Sequence, residues 1–227
     1  NSLIMVGLGR EQFTQNQKLY NPSKDELRLT QTTIPIAIQH DSYNDPFFPT
    51  KGIQINLHTN IVPSGRIERL VENQKVNFSS TNWMARLSAQ HVIPLSNHFA
   101  MINSFDVGTF EFEANSFVNS FYLGRSLVNQ VAHIPFVGLQ YMGHVATRYY
   151  AIKSQLRYEL RSNFYLSGIA NFGSSEFVGR RNTTIQNLWG AGLELGYKSP
   201  LGPIRLTGEY GNIHRQLISY LHIGYYF

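Results

Sequence analysis

Apolar and polar residues alternate one by one through several segments of the chain. From Ile204 onward, the sequence IRLTGEY places an apolar residue or glycine at every second position. A period of two is the spacing at which side chains point to the same face of a β-strand. The same period recurs in segments 33–41, 52–59, 150–160 and 221–227. The pattern predicts strands that each have one apolar and one polar face.

The polar faces of these strands are unusual for a soluble protein. They carry mostly Gln, Asn, Ser, Thr, Gly and His, with isolated Arg and Glu. A soluble β-sandwich or lipocalin-like barrel, which is the alternative, would instead expose many Lys and Glu residues. A membrane barrel turns its apolar face to lipid and its polar face inward, with aromatic girdles near the strand ends. The candidate girdle residues are Trp83, Phe164, Phe172, Trp189, Tyr197, Tyr210, Tyr225 and Phe227.

Turn-forming residues divide the chain into strands. Tight turns are predicted at 43–50, 96–98, 161–163 and 199–203, and longer polar segments at 20–26, 63–74, 112–146, 174–187 and 211–215. The strands between them are 3–19, 28–42, 51–62, 75–94, 98–111, 147–160, 164–174, 188–198, 203–212 and 217–227. Alternating short and long connections predict an all-β, antiparallel up-and-down transmembrane barrel of roughly 10–12 strands, with short periplasmic turns and long outer loops. Residues 1–227 are expected to form this single domain.

Composition narrows the classes of function. Only 15% of the 227 residues are charged and 13% are aromatic, which excludes a disordered chain. The net charge of +5 is dispersed, with no basic run longer than Arg180-Arg181, so no nucleic-acid partner is predicted. The absence of cysteine excludes disulfides and Cys-ligated zinc.

No enzyme or cofactor motif stands out. The sequence contains no G-x-S-x-G, H-E-x-x-H, phosphate-binding or dinucleotide-binding motif, so we predict no catalytic residues, no cofactor and no metal. The alternative is a barrel-borne lipase in which His40 and Asp41 act with a serine. His133 and His144 flank part of the long loop, but no third metal ligand is predicted.

Four segments resemble a known family. They read DPFFPTKG at 45–52, LRYELR at 156–161, KSPLGPIRLTGEY at 198–210, and YYF at the end of the chain. Together they resemble the C-terminal barrel of the outer-membrane assembly and translocation superfamily, also called the bacterial surface antigen family. It includes the BamA-type insertases, two-partner secretion translocators and the barrels of patatin-like proteins, to which this chain is most similar. The turn residues of the resemblance are Asp45, Pro46, Pro49, Gly52, Pro200, Gly202 and Pro203, and the assembly signal is Tyr225 and Phe227.

The resemblance covers approximately residues 42–227 and implies a function. It implies an integral protein of the bacterial outer membrane that acts in protein insertion or translocation. A passive pore, or a barrel that anchors a missing N-terminal domain, is the alternative, since no POTRA or patatin domain is recognised in this sequence. The implied partners are outer-membrane lipids including lipopolysaccharide, protein substrates, the barrel-assembly machinery and a second copy of the chain.

The resemblance also implies that a long loop folds into the barrel. In the family, an arginine of this loop meets acidic residues of the barrel interior. The corresponding stretch here contains Phe136, Val137, Gly138 and Leu139, and Val137 stands at the position of that arginine. We therefore expect the loop to be held by apolar packing of Phe136, Leu139, Tyr141 and Met142, with bends at Gly138 and Gly143.

Charged residues fall on the inward register of neighbouring strands. One interpretation is that they hold the loop or line a pore. The favoured interpretation is a salt-bridge network that fills a narrow barrel, because buried charges must be paired. The set is Arg157, Glu159, Glu194, Arg205 and Glu209. A second set, in predicted outer loops, either binds lipid phosphates or is simply solvated: Arg66, Arg69, Lys75, Arg180 and Arg181.

Overall fold

The computed structural model describes residues 1–16, 26–71, 74–111, 120–125, 131–178, 183–200 and 202–224. The strands are β1 (Ser2–Val6), β2 (Gly9–Asn16), β3 (Glu26–Asp41), β4 (Gly52–Val71), β5 (Gln74–Pro94), β6 (Phe99–Glu111), β7 (Phe121–Gly124), β8 (His133–Pro135), β9 (His144–Ala146), β10 (Arg148–Arg161), β11 (Phe164–Val178), β12 (Thr183–Ser199), β13 (Gly202–Gly211) and β14 (Ile218–Ile223). Across these ranges, no helix is long and apolar enough to cross a membrane.

The main sheet is an antiparallel meander. Its 11 strands follow the order β1-β3-β4-β5-β6-β10-β11-β12-β13-β14, and β2 also pairs with β3. β1 and β2 pair with successive halves of β3 and are two parts of one pass, so the 11 strands make ten passes. The predicted all-β, antiparallel up-and-down fold is confirmed. Within the described ranges, the first pass and β14 each have one neighbour, so a seam lies between them.

Two predicted outer loops are instead strand. β4 continues through most of the predicted loop 63–74, and β11 and β12 continue through much of 174–187. The prediction ended a strand at Pro63, but the register shifts between Val62 and Gly65, and a proline is tolerated at such a bulge. The prediction that short and long connections alternate strictly is therefore wrong, because β4 and β5 are separated by only residues 72–73.

The two ends of the sheet differ. The tight connections β3–β4, β5–β6, β10–β11 and β12–β13 lie at one end, here called the turn end, and the others lie at the loop end. The two faces differ as well, as adjacent residues of β13 show: Leu206 is 49% exposed and Thr207 is 1% exposed. The apolar outward face and covered inward face are those of a membrane barrel.

Residues 120–125 and 131–147, here called the lumen loop, occupy the concave side of the sheet. β7 pairs with β8 in parallel and with β9 antiparallel, so the loop has a small sheet of its own. The aromatic and aliphatic side chains of this loop form one buried cluster with inward residues of the wall. The loop therefore lies in the lumen that the curved sheet encloses.

Candidate functional site in the lumen

An aromatic cluster fixes the start of the lumen loop. The ring of Phe121 is fully buried, with its centroid 4.5 Å from that of Phe110 and 4.8 Å from that of Tyr149. Gly108 of β6 lies directly beneath, since a Cβ there would come within 2.7 Å of the Phe121 ring. The glycine leaves the space in which the ring packs against the wall.

Glycines of the wall also receive the tip of the loop. Phe136 is only 2% exposed, and the next residue, Val137, crosses β12 at Gly190. A Cβ on Gly190 would lie 1.8 Å from the carbonyl oxygen of Val137, so no other residue fits without moving the loop. Asn171, with its side-chain amide oriented to satisfy both contacts, accepts from the Val137 N–H (2.8 Å) and donates to the Gly190 carbonyl (3.1 Å).

Glu209 of β13 holds both limbs of the loop. Its Oε1 accepts from Arg125 Nη1 at 2.7 Å, and its Oε2 accepts from the backbone N–H of Gly138 at 3.0 Å. Glu209 is 1% exposed and the Arg125 side chain is 16% exposed. A buried carboxylate needs such charge-assisted hydrogen bonds to offset its desolvation. β14 adds to the clamp, because the Arg125 guanidinium lies 5.1 Å from the ring centroid of Tyr220 and the Tyr220 hydroxyl donates to Leu139 O at 3.4 Å.

This clamp corrects the expectation that the loop is held by apolar packing alone. Val137 makes no charge contact, but Arg125, on the other limb, supplies a guanidinium to the interior acid. Phe136 and Leu139 are buried as apolar anchors, whereas Tyr141 is exposed. The expectation rested on the position of Val137 alone, whereas the signal in the sequence is an arginine directly after a glycine, Gly124-Arg125. In the structure this glycine bends the chain, with a φ of 144°.

A second wall contact holds the middle of the loop. Arg86 of β5 forms a two-pronged ion pair with Asp106 of β6, at 3.0 and 2.7 Å, and donates to the carbonyl of Val131 at 2.9 Å. Tyr149 donates to the same carboxylate at 2.5 Å. Every charge in this group has a hydrogen-bonding partner, as a low-dielectric interior requires.

Below the loop lies a polar chamber of about 450 Å³. The loop contributes Val131 and Pro135 to its lining. The remaining walls come from β3 to β6, β10 and β11, and their lining is rich in amides and hydroxyls, with Lys153 as an additional cation. Side chains of this lining include Gln39, Gln54, Asn56, His58, Ser88, Gln90, Lys153 and Asn171.

The β3–β4 connection crosses the lumen at the turn end. This segment, residues 43–50, is here called the strap. Phe48 is 2% exposed and stacks on Tyr165 of β11, with centroids 4.3 Å apart and planes 11° apart. The guanidinium groups of Arg157 and Arg205 lie 5.7 and 5.1 Å from the Phe48 ring centroid. Cations over an aromatic face are attracted to it, and more strongly when desolvated.

Hydrogen bonds fasten the backbone of the strap. Arg157 donates to the carbonyl of Pro49, and Arg205 donates to the carbonyl of Phe47 at 2.8 Å. Asp45 pairs with Lys198 of β12 and accepts from the backbone N–H groups of Phe47 and Phe48, each at 2.9 Å. Burial opposes ionisation of Asp45, but the Lys198 bond and these amides outweigh it and lower the pKa of the carboxyl.

Most of the interior charges therefore have partners other than those expected. We expected Arg157, Glu159, Glu194, Arg205 and Glu209 to pair with one another across the wall. Instead, Arg157 and Arg205 bind the strap, and Glu209 binds the loop. Glu194 is buried and interacts electrostatically with Lys153 and Arg157, and Glu159 lies near Tyr165.

The remaining turn residues lie at the turn end. Gly52 and Gly202 have φ of 119° and 115°, values that favour glycine, and they begin β4 and β13. Pro203 follows Gly202, and its carbonyl accepts from the Gly224 N–H at 3.0 Å. Pro46 lies in the strap and Pro200 in the β12–β13 connection. Tyr225 and Phe227 lie outside the described residues.

The structure brings only some of the candidate lipase residues together. Ser2 Oγ lies 2.9 Å from His40 Nδ1, but the Asp41 carboxylate accepts from the Tyr43 N–H and from Gln54. Asp41 is thus oriented away from the role of supporting His40. Among the residues the structure describes, no three His, Asp or Glu side chains are grouped to hold a metal. Burial lowers the pKa of His133.

An antiparallel meander with an apolar outer face, a polar lumen and an inserted loop defines the class of outer-membrane β-barrel proteins. The chain belongs to the OMP85 superfamily, whose family model matches residues 13–227. The resemblance seen in the sequence is thereby confirmed, and membership assigns the chain to the proteins of outer-membrane insertion and translocation in general. No curated protein matches the chain significantly.

Proposed function

We propose that this chain inserts or translocates protein at the outer membrane, with its lumen closed by the loop and the strap. The observation that carries the proposal is the clamp on Glu209, which joins two limbs of the loop to the last two strands. β14 borders the seam, and β13 is the next strand of the wall. A loop fastened beside a seam couples the state of the lumen to the edge at which a substrate strand would pair.

The seam itself has the character of an edge open to pairing. Both faces of β1 are exposed, including Leu3, Ile4, Met5 and Val6. Backbone groups at a sheet edge are a template for a further strand. We infer that a substrate strand pairs here, at β1 or β14, and that the activity requires no covalent chemistry and therefore no catalytic residue.

The alternative, a passive pore, requires an open lumen. The chamber is polar enough to hold water, which favours a pore. The loop lies on one side of it and the strap crosses the turn end, and both are fastened by buried contacts. We therefore propose a closed resting state with small conductance.

For location, we propose the outer membrane, with the turn end in the periplasm. The partners proposed are protein substrates, the barrel-assembly machinery that inserts this chain, and lipopolysaccharide in the outer leaflet. That two copies of the chain form a homodimer stays a prediction.

The test is assisted folding. The chain is reconstituted into vesicles of outer-membrane lipid, a urea-unfolded eight-stranded barrel protein is added, and its folding is followed by heat-modifiable gel mobility. We expect folding at least tenfold faster than in protein-free vesicles, and slower with Glu209→Gln than with the matched control Glu176→Gln. Glu176 lies at the loop end of β11 and forms a more exposed pair with Arg148.

Planar-bilayer recording separates the two candidates. Large, stable single-channel currents together with folding no faster than in empty vesicles would overturn the proposal in favour of a pore. Currents that appear only in Glu209→Gln, with faster folding in the parent protein, would support a lumen closed by the loop.

A further inference from the structure

The outward face of β3 changes chemistry abruptly along the strand. Ile34, Ile36 and Ile38 point outward, because the alternating positions Thr33 and Ala37 are buried on the inner side. Above Ile34 the same outward register carries Thr32, Thr30 and Arg28. The lipid-facing apolar band therefore ends at Ile34 on this strand.

A tryptophan marks the same level on the neighbouring wall. Ile34 pairs with Ile61 of β4, and Ile61 pairs with Trp83 of β5, which is exposed on the outward face. Tryptophan is enriched where a barrel wall passes from hydrocarbon to the headgroups. The residues immediately above this row lie at the depth of the headgroups.

Three arginines occupy that depth on adjacent strands. Arg10 of β2 pairs with Thr32, and Arg66 of β4 pairs with Thr30. Arg28 of β3 lies one row further up, and all three side chains are exposed. Since two residues of a strand span about 7 Å, the three lie roughly 7 to 20 Å beyond Ile34 along the tilted strand. This set is here called the arginine face.

The surroundings of the arginine face suit a phosphate. The three arginines and Glu68 leave a net charge of +2. Glu68 lies 3.3 Å from Arg66, whose side chain stays 64% exposed. Between them is an open hollow of about 550 Å³ that Thr30, Thr32 and Ser64 line with hydroxyl groups. Guanidinium forks bind phosphate oxygens in pairs, and hydroxyls donate to those left over.

We propose that the arginine face binds the phosphate groups of an acidic lipid headgroup in the outer leaflet. This proposal specifies where the lipid partner proposed above binds. It rests on the proposed outer-membrane location, but not on a role in insertion or translocation. Of the five basic residues predicted to lie in outer loops, Arg66 belongs to the arginine face, and it lies on β4 rather than in a loop. The pairing of β2 and β4 with β3 brings Arg10 and Arg28 to the same face.

The test measures lipid binding by the detergent-solubilised chain with native mass spectrometry. The probes are lipid A with two phosphates, the same lipid after enzymatic removal of both, and inorganic phosphate as competitor. We expect Arg10→Gln/Arg66→Gln to weaken binding of the bisphosphorylated lipid about thirtyfold, since each basic side chain near an anionic lipid surface contributes roughly fivefold. Inorganic phosphate at millimolar concentration should not displace the lipid.

The matched control is Arg161→Gln/Arg215→Gln, which removes two exposed arginines from other surfaces and should keep affinity within about twofold. Equal loss in both double variants would overturn the site, as would equal binding of phosphorylated and dephosphorylated lipid. Displacement by inorganic phosphate would assign the face to free phosphate instead. Heat-modifiable mobility checks that each variant is folded, and the folding assay above is not expected to change.

Discussion

The lumen loop and the strap enter the barrel from opposite ends and are fastened in different ways. Each buries a phenylalanine beside a glycine of the wall: Phe136 lies near Gly173, and Phe48 lies against Gly196. The loop brings a cation, Arg125, to the wall acid Glu209, whereas the strap brings an anion, Asp45, to the wall cation Lys198. The inner face of the wall thus carries opposite charges for the two segments.

The difference lies in burial. The Arg125–Glu209 pair is almost enclosed, while the Lys198 and Asp45 side chains are 39% and 21% exposed. A buried pair is costly to break from one side, whereas an exposed pair contributes little. The comparison therefore predicts that the loop depends on its ion pair as well as on its buried phenylalanine, whereas the strap depends mainly on aromatic packing.

The largest expected effect comes from the two phenylalanines. Phe48→Ala and Phe136→Ala should each lower the free energy of unfolding by about 3–5 kcal/mol, because each leaves a cavity. Urea unfolding in lipid vesicles measures this free energy for each variant. Limited trypsin digestion separates the sites. Phe48→Ala should loosen the strap and speed cleavage after Lys51, which is already exposed, whereas Phe136→Ala should expose Arg125 to cleavage. Cleavage of both sites in either variant would show that loop and strap are not independent.

Glu209→Gln should lower the free energy of unfolding by about 3 kcal/mol, since it leaves the Arg125 guanidinium buried without its carboxylate. The second change Arg125→Leu should recover most of that loss, because it removes the unpaired guanidinium and fills its place with an apolar side chain. Lys198→Met, the counterpart at the strap, should cost at most about 1 kcal/mol. Equal costs for Glu209→Gln and Lys198→Met in urea unfolding would remove the contrast between the two segments.

The glycine contacts predict a smaller effect. Gly190→Ala should cost about 1–3 kcal/mol, because its methyl group meets the Val137 carbonyl and displaces the loop. Gly168→Ala is the matched control on β11, where a Cβ would meet nothing within 4 Å. A Gly190→Ala protein as stable as the Gly168→Ala protein would mean that the loop does not cross β12 there.

These sites also show how far sequence reasoning reaches. The period of two fixed the faces and the passes, and proline and glycine located the tight turns. The bulge after Val62 hid the upper part of β4, because Pro63 looks like a strand end until its register shift is seen. The strap contacts of Arg157 and Arg205 join residues more than 100 positions apart, which no local pattern encodes.

The smallest expected effect is a pH dependence of the stability of the strap. The pKa of Asp45 is lowered in the fold, so its stabilising contribution is complete above the ordinary carboxyl pKa of about 4 and is lost as pH falls through the lower folded value. Hydrogen exchange of the Phe47 and Phe48 amides, corrected for intrinsic rates, should accelerate in that range. Asp45→Asn should abolish this acceleration, and an unchanged pH profile in that variant would assign it to another group.

The central claim, that the loop lies in the lumen against β12, has a direct test. The chain has no cysteine, so Val137→Cys/Gly192→Cys introduces a single pair, and a Cβ at position 192 would lie 3.1 Å from Val137 Cγ1. We predict a spontaneous disulfide in membranes, seen as a reductant-sensitive mobility shift, and none in Val137→Cys/Gly168→Cys. Cross-linking no greater in the first pair than in the second would contradict the account.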